Sequence, residues 1–161
     1  EMLDIPDHHG LTDLFNNVTT SMLCMDCIVA NDLPADPREY HSTAVLPIPG
    51  DGGFTLAVSS DLQGCTVLSA AMFAVDATEV DPEMINDTMA ELANMAAGQL
   101  KGRLSLGNSL GLPVNLPGKD FADKSANSAN GWSHYPMRAG KAVVLLSITT
   151  QTSVAEEYIG S

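Results

Sequence analysis

The stretch "VDPEMINDTMAELANMAAGQLKGRL", Val80 to Leu104, constrains the fold of this chain more than any other. At roughly 100° per residue, Ile85, Met89, Leu92, Ala96 and Leu100 fall within one narrow arc of a helical wheel. The stretch therefore predicts a helix from about Pro82 to Leu104 whose apolar stripe must be covered by another layer. Asp81 suits its N-cap, Pro82 its first helical position and Glu83 the positive end of the dipole, while Lys101, Gly102 and Arg103 suit its end. The opposite arc carries Asp87, Glu91, Asn94, Gly98 and Lys101. Glu91 and Asn94, three residues apart, set a carboxylate beside an amide on successive turns. Gly98 inside a helix costs about 1 kcal/mol relative to Ala and leaves room for another surface to come close. Two readings stay open on pattern alone, because any solvated helix face is polar and so is a binding face.

The other elements say what could cover the stripe. Leu11, Leu14, Phe15, Val18, Met22 and Met25 recur at spacings of three and four, which predicts a first amphipathic helix. "STAVLPIP" and "FTLAVS" flank "GDGG" and read as a β-hairpin. Ser60 or Asp61 can cap a helix running to about Ala74, with Leu62, Cys65, Leu68 and Met72 on one side. In "SLGNSLGLPVNLPGKDFADKSANSANGW", "LPVNLP" reads as a short edge strand and the remainder as loop. "KAVVLLSITTQ", bounded by Gly140, reads as a central strand. Helices and strands are interspersed and the hairpin must be antiparallel, so the expected class is α+β (α/β mixed): a mainly antiparallel sheet with long helices packed on it.

The chain's 161 residues fit a single domain over 1–161. A formal net charge of -13 repels phosphate-bearing surfaces, which argues against nucleic acid and membrane as partners. No apolar run approaches the roughly 20 residues of a membrane span, and "EMLDIPDHHG" lacks the basic and apolar segments of a leader. The expected location is cytoplasmic. Three cysteines fit a reducing compartment better than a disulfide framework. Cys24 and Cys27 form "CMDC" without a second pair, and read as small buried apolar residues rather than a redox or metal site. His8 and His9, beside Asp7, read as solvated. No metal site is expected on this chain.

Two further motifs fail. "GRLSLGNSLG" follows a helix and lacks the Gly-Lys-Ser/Thr ending of a phosphate loop. No serine sits in a nucleophile elbow, and the sequence ties neither His41 nor His134 to a Ser or Cys nucleophile.

The spacing of Asp87, Glu91, Asn94 and Gly98 in "DTMAELANMAAG" resembles the signature of the chemotaxis phosphatases of the CheC, CheX and FliY type. In that signature an acidic or Ser position, a Glu and an Asn recur on an exposed helix and a proline follows well downstream, for which Pro117 is the candidate. The resemblance extends to the order of elements over roughly Leu11 to Gln151. It implies a phosphatase acting on the phospho-aspartate of a response-regulator receiver domain of the CheY type. Carried over, Glu91 would contact a lysine of the receiver's active site, and Asn94 would enter that site and orient the attacking water. Asp87, Gly98 and Lys101 would contact the partner, and Mg²⁺ would be held by the receiver. Members with two sites carry a second motif in their first half. Here the matching stretch, "DLFNNVTT", has Asn17 where Glu belongs and Thr20 where Asn belongs, so one site is expected, as in CheX. The homodimer is implied by the same resemblance. The alternative is a non-catalytic receiver-binding or flagellar-switch adaptor of the same fold. A redox or metal sensor built on Cys24 and Cys27 is the third reading.

Overall fold

A computed structural model describes residues 3–127 and 130–159. Among these residues, five α-helices and six strands follow one another as α1 (His8–Leu23), β1 (Cys27–Val29), β2 (Ser42–Ile48), β3 (Phe54–Ser60), α2 (Leu62–Phe73), α3 (Pro82–Arg103), β4 (Val114–Pro117), α4 (Gly118–Ser125), β5 (Ser133–Ala139), β6 (Ala142–Thr149) and α5 (Thr152–Glu156). The strands form one sheet in the order β1-β5-β6-β3-β2-β4. Every neighbouring pair is antiparallel. This is the expected α+β architecture.

Alternation along the strands divides the core into two. Ala44, Leu46 and Ile48 of β2 and Leu56 and Val58 of β3 face the layer formed by α1, α2 and α3. Val45 and Ala57 point the other way, where Phe121 of α4, Val154 of α5 and Tyr158 close over them. Both faces of the hairpin strands are thus covered, and all seven residues of each are buried. The "GDGG" turn works because Gly50 and Gly52 supply positive φ of 99° and 74°.

Caps fall where side-chain chemistry requires them. The carboxylates of Asp7, Asp61 and Asp81 accept the backbone N–H of Gly10, Gly64 and Met84, each at 2.8 Å, and so begin α1, α2 and α3. "LPVNLP" contains β4, an edge strand as expected. The segment after it is not all loop. Residues 118–125 form α4, because Phe121 packs into the cluster on the far face of the sheet. β1, β5 and α5 also add to the elements expected from sequence.

Two readings of single residues change, those of His8 and Cys24. His8 is not solvated: its Nε2 lies 2.8 Å from the Pro136 carbonyl oxygen, and its ring tilts against Tyr135 at 5.5 Å. His9 remains exposed. Cys24 is exposed at the left-handed C-cap of α1, whereas Cys27 and Cys65 are buried. Burial pushes the Cys27 and Cys65 thiols up to about 12. With native protein near pH 8, a thiol-specific alkylating reagent is therefore expected to label Cys24 alone, with all three cysteines labelled after denaturation. Rapid native labelling of Cys27, read by mass spectrometry, would contradict this placement.

Candidate functional site

α3 packs against β2, β3, α1 and α2. Its inward stripe is Ile85, Thr88, Met89, Leu92, Ala93, Ala96, Ala97 and Leu100, all buried. The sequence-derived arc is thus the buried one, widened by small residues that let the helix lie close to the sheet. With that stripe fixed inward, the remaining positions have to face out.

Asp87 and Glu91 are exposed, and Asn94, Gly98 and Lys101 are half-buried. All five residues singled out from the sequence therefore share one outward face. Among the described residues, Asp87, Glu91 and Lys101 form no ion pair and the Asn94 amide has no hydrogen-bond partner. No described residue occupies these groups. A free amide can donate and accept at once, and a free carboxylate accepts only, so the pair can serve a water molecule and a cation side by side. The helix beneath them is anchored along its whole length, which is how a site gains rigidity.

The relief of this face is uneven. Successive fourth residues along α3 lie in rows. The row through Asn94 is Asn86, Ala90, Asn94, Gly98 and Gly102, and the row beside it begins with Asp87, Glu91 and Met95. A Cβ added at Gly98 or at Gly102 would meet nothing within 4 Å. Asn94 is thus the polar side chain that borders the flat strip at Gly98 and Gly102.

Near the start of α3 the site borders a cleft of ≈ 590 Å³ whose walls include His41, Leu62, Val80, Ile85, Asn86 and Pro117. Asn115 donates its Nδ2 to the Asn86 carbonyl oxygen at 2.9 Å, tying β4 to α3 one residue before Asp87. Pro117, the candidate signature proline, ends β4 and precedes α4 on this cleft. Sequence spacing did not bring β4 to this end of α3. The only local signal was the edge-strand character of "LPVNLP".

Asp13, Asn17 and Thr20 of the degenerate stretch are exposed on α1. Thr20 is turned back on its own helix, donating its hydroxyl to the Asn16 carbonyl. The structure does join His134 to a serine, since its Nδ1 lies 2.7 Å from Ser147 Oγ. Ser147 is fully buried within the sheet and cannot meet a substrate, while burial lowers the pKa of His134. Among the described residues, no three of His, Cys, Asp and Glu gather as a metal site, and no helix is long and apolar enough to cross a membrane.

The sequence pattern of the family described as chemotaxis phosphatase CheX matches residues 43–135, which include all of α3. No curated protein sequence matches the chain. Among solved structures, a CheX–CheY–BeF3–Mg²⁺ complex from Borrelia burgdorferi superimposes with a TM-score of 0.67 at 15% identity, covering 90% of this chain and 97% of that one. A CheC-like superfamily protein from Shewanella sp. PV-4 gives 0.65 at 18% identity, covering 86% and 93%. The FliM middle domain from Vibrio alginolyticus gives 0.57 at 12% identity, covering 92% and 93%. At these identities the likenesses speak for the fold.

Proposed function

Because this chain belongs to the chemotaxis phosphatase CheX family, we propose that it hydrolyses the aspartyl phosphate of a CheY-like receiver domain, using Asn94 and Glu91. The observation that carries the reading is the pair itself: a free amide and a free carboxylate, adjacent on the outward face of a helix whose other side is fully buried. The solved complex of a family member with CheY, BeF3 and Mg²⁺ supports a receiver as the partner.

Docked on a receiver, Asn94 extends into the phosphorylated pocket and holds a water in line with the phosphorus. The water oxygen forms the new P–O bond while the bond from phosphorus to the aspartate oxygen breaks. Phosphate and a free carboxylate result, and the water proton leaves with phosphate or solvent. Phosphoryl transfer of this kind depends on positioning and charge neutralisation. Asn94 supplies the positioning without acting as a competing nucleophile. Mg²⁺ on the receiver supplies neutralisation, so this chain brings no cofactor of its own. Glu91 pairs with a lysine of the receiver and fixes the depth of entry. Asp87, Gly98 and Lys101 complete the contact. The protein works in the cytoplasm as a homodimer, for which the exposed Ile28 on the short edge strand β1 offers one unpaired edge.

A non-catalytic adaptor would need the docking face but not the amide, and Asn94 is therefore the residue that favours an enzyme. Purified protein incubated with a panel of phosphorylated receivers from the source organism is expected to speed phosphate loss from at least one, with no activity on small phosphate esters. If binding occurs and no receiver is dephosphorylated faster, the adaptor reading replaces this one.

A further inference from the structure

α2 departs from the polar-outward pattern of α1 and α3. Its sequence, "LQGCTVLSAAMF", includes no charged side chain, although only Gly64, Cys65, Leu68 and Ser69 are buried. A helix that is apolar all round is ordinarily covered all round. Leu62 and Phe73 stand three turns apart at nearly the same azimuth, and they are 57% and 41% exposed. Thr66 and Ala70 lie between them on the same outer arc, half-buried. Leu62 and Thr66 also line the cleft of ≈ 590 Å³ whose other walls include Val80, Ile85 and Pro117. The exposed row and the cleft therefore join into one apolar groove, about 18 Å long at 1.5 Å per residue of α2. Its rim is acidic. Residues 61–66 and 79–87, which line or flank the groove, carry Asp61, Glu79, Asp81, Glu83 and Asp87 and no lysine or arginine. Asp61 and Asp81 are engaged as helix caps, and among the described residues neither Glu79 nor Glu83 is in an ion pair. The cations nearest along the chain are Arg38, paired with Asp123, and Lys119 of α4, the helix over the other face of the sheet.

An exposed apolar surface with a polar rim marks a place of contact, and the sign of the rim selects the partner. A two-fold contact with a second copy would set this patch, and each acidic rim, against its own image. Anionic lipid is repelled by the same charges. We infer that the groove between α2 and the start of α3 binds a basic amphipathic segment of another protein. Apolar residues at helical spacing enter the groove, and Lys or Arg along the flanks of the segment meet Glu79 and Glu83. This surface is distinct from the phosphatase site: Asn94 lies nine residues beyond Ile85, about 14 Å along the helix. The inference stands or falls independently of the phosphatase reading, because its test contains no receiver.

Fluorescently labelled peptides of about 18 residues, long enough to form a helix, serve as probes, with binding read by anisotropy at low salt. One carries Leu at helical spacing and Lys elsewhere, a second replaces its Lys with Glu, and a third scrambles the Leu/Lys order. The first is expected to bind wild type, and the other two at least about tenfold more weakly. Leu62→Gln/Phe73→Gln should weaken the first peptide by about tenfold or more and keep the fold, since both positions are exposed and Gln favours helix. Glu79→Gln/Glu83→Gln should weaken it about 2- to 10-fold, the difference closing near about 1 M salt, where the Debye length is about 3 Å. Two controls should stay within about twofold of wild type. Glu156→Gln/Glu157→Gln makes the same change in net charge at the end of α5, and Leu112→Gln alters a leucine 82% exposed before β4. No binding of the first peptide, undiminished binding in Leu62→Gln/Phe73→Gln, or a control that loses as much as its groove counterpart overturns the inference. So does a wild-type dimer that Leu62→Gln/Phe73→Gln turns into a monomer in sedimentation, because a second copy would then be the occupant.

Discussion

Asn94→Ala is expected to lower phospho-receiver hydrolysis by about 10²- to 10³-fold, the usual cost of losing one group positioned for the transition state, while leaving docking nearly intact. Three observations support the separation. Among the described residues the Asn94 amide has no partner, so truncation orphans none of them and opens no cavity. Its Cα sits on a helix held by Leu92, Ala96 and Leu100, all inaccessible to solvent, and Ala is the best helix former, so the backbone stays in place. The contact area of a docked receiver comes from the whole outer face rather than from one amide. A group that acts mainly in the transition state changes kcat, whereas one that binds ground and transition states alike changes KM. The measurement is therefore paired: affinity for beryllofluoride-activated receiver and single-turnover loss of the native phosphoryl group. Wild-type turnover in Asn94→Ala would remove the catalytic assignment.

Most of what positions this site was legible in the sequence, for reasons particular to each element. α3 announced itself through a long stripe, an Asp-Pro start and a basic end, and the β2–β3 hairpin through two strand-like runs around Gly50 and Gly52. The elements that escaped are those whose local sequence argues against them. β5, "SHYPMRA", carries Pro136 in its interior, which ordinarily demotes a strand. It forms because β6 pairs with it throughout, and because the Pro136 carbonyl, which proline retains, accepts the Ala30 N–H. β1 has three residues and no detectable period. α4 opens on Gly118 and contains Asp120, Asp123 and Ser125. Its formation depends on burying Phe121, which meets Trp132 edge-on at 5.0 Å. Tertiary contacts override weak propensity in each case. The same limit applies to the site: periodicity placed Asp87, Glu91, Asn94, Gly98 and Lys101 on one face, but only the fold sets β4 and Pro117 beside the start of that face.

Glu91 and Leu92 are neighbours in sequence and opposites in role, so the pair gives the second large expected effect. Leu92 is fully buried in the cluster between α3 and the sheet. Leu92→Ala removes apolar contact and leaves a cavity in a close-packed layer, at a cost of about 2–5 kcal/mol. For a chain of this size that lowers the melting temperature by roughly 5–15 °C. Phosphatase activity per folded molecule should change little at temperatures where the variant remains folded. Glu91→Ala removes an exposed carboxylate that has no partner among the described residues, and Ala favours helix, so the stability change should stay within about 0.5 kcal/mol. Its effect appears in complex formation. Loss of a charge paired across the interface should weaken receiver binding, and the loss should shrink as salt is raised. Thermal melts of both variants, with receiver affinity at two ionic strengths, read the two roles independently. If Glu91→Ala melted far below wild type, or Leu92→Ala bound the receiver poorly while fully folded, the division of α3 into a structural side and a docking side would be wrong, and Asn94, which shares the docking side, would lose its assignment with it.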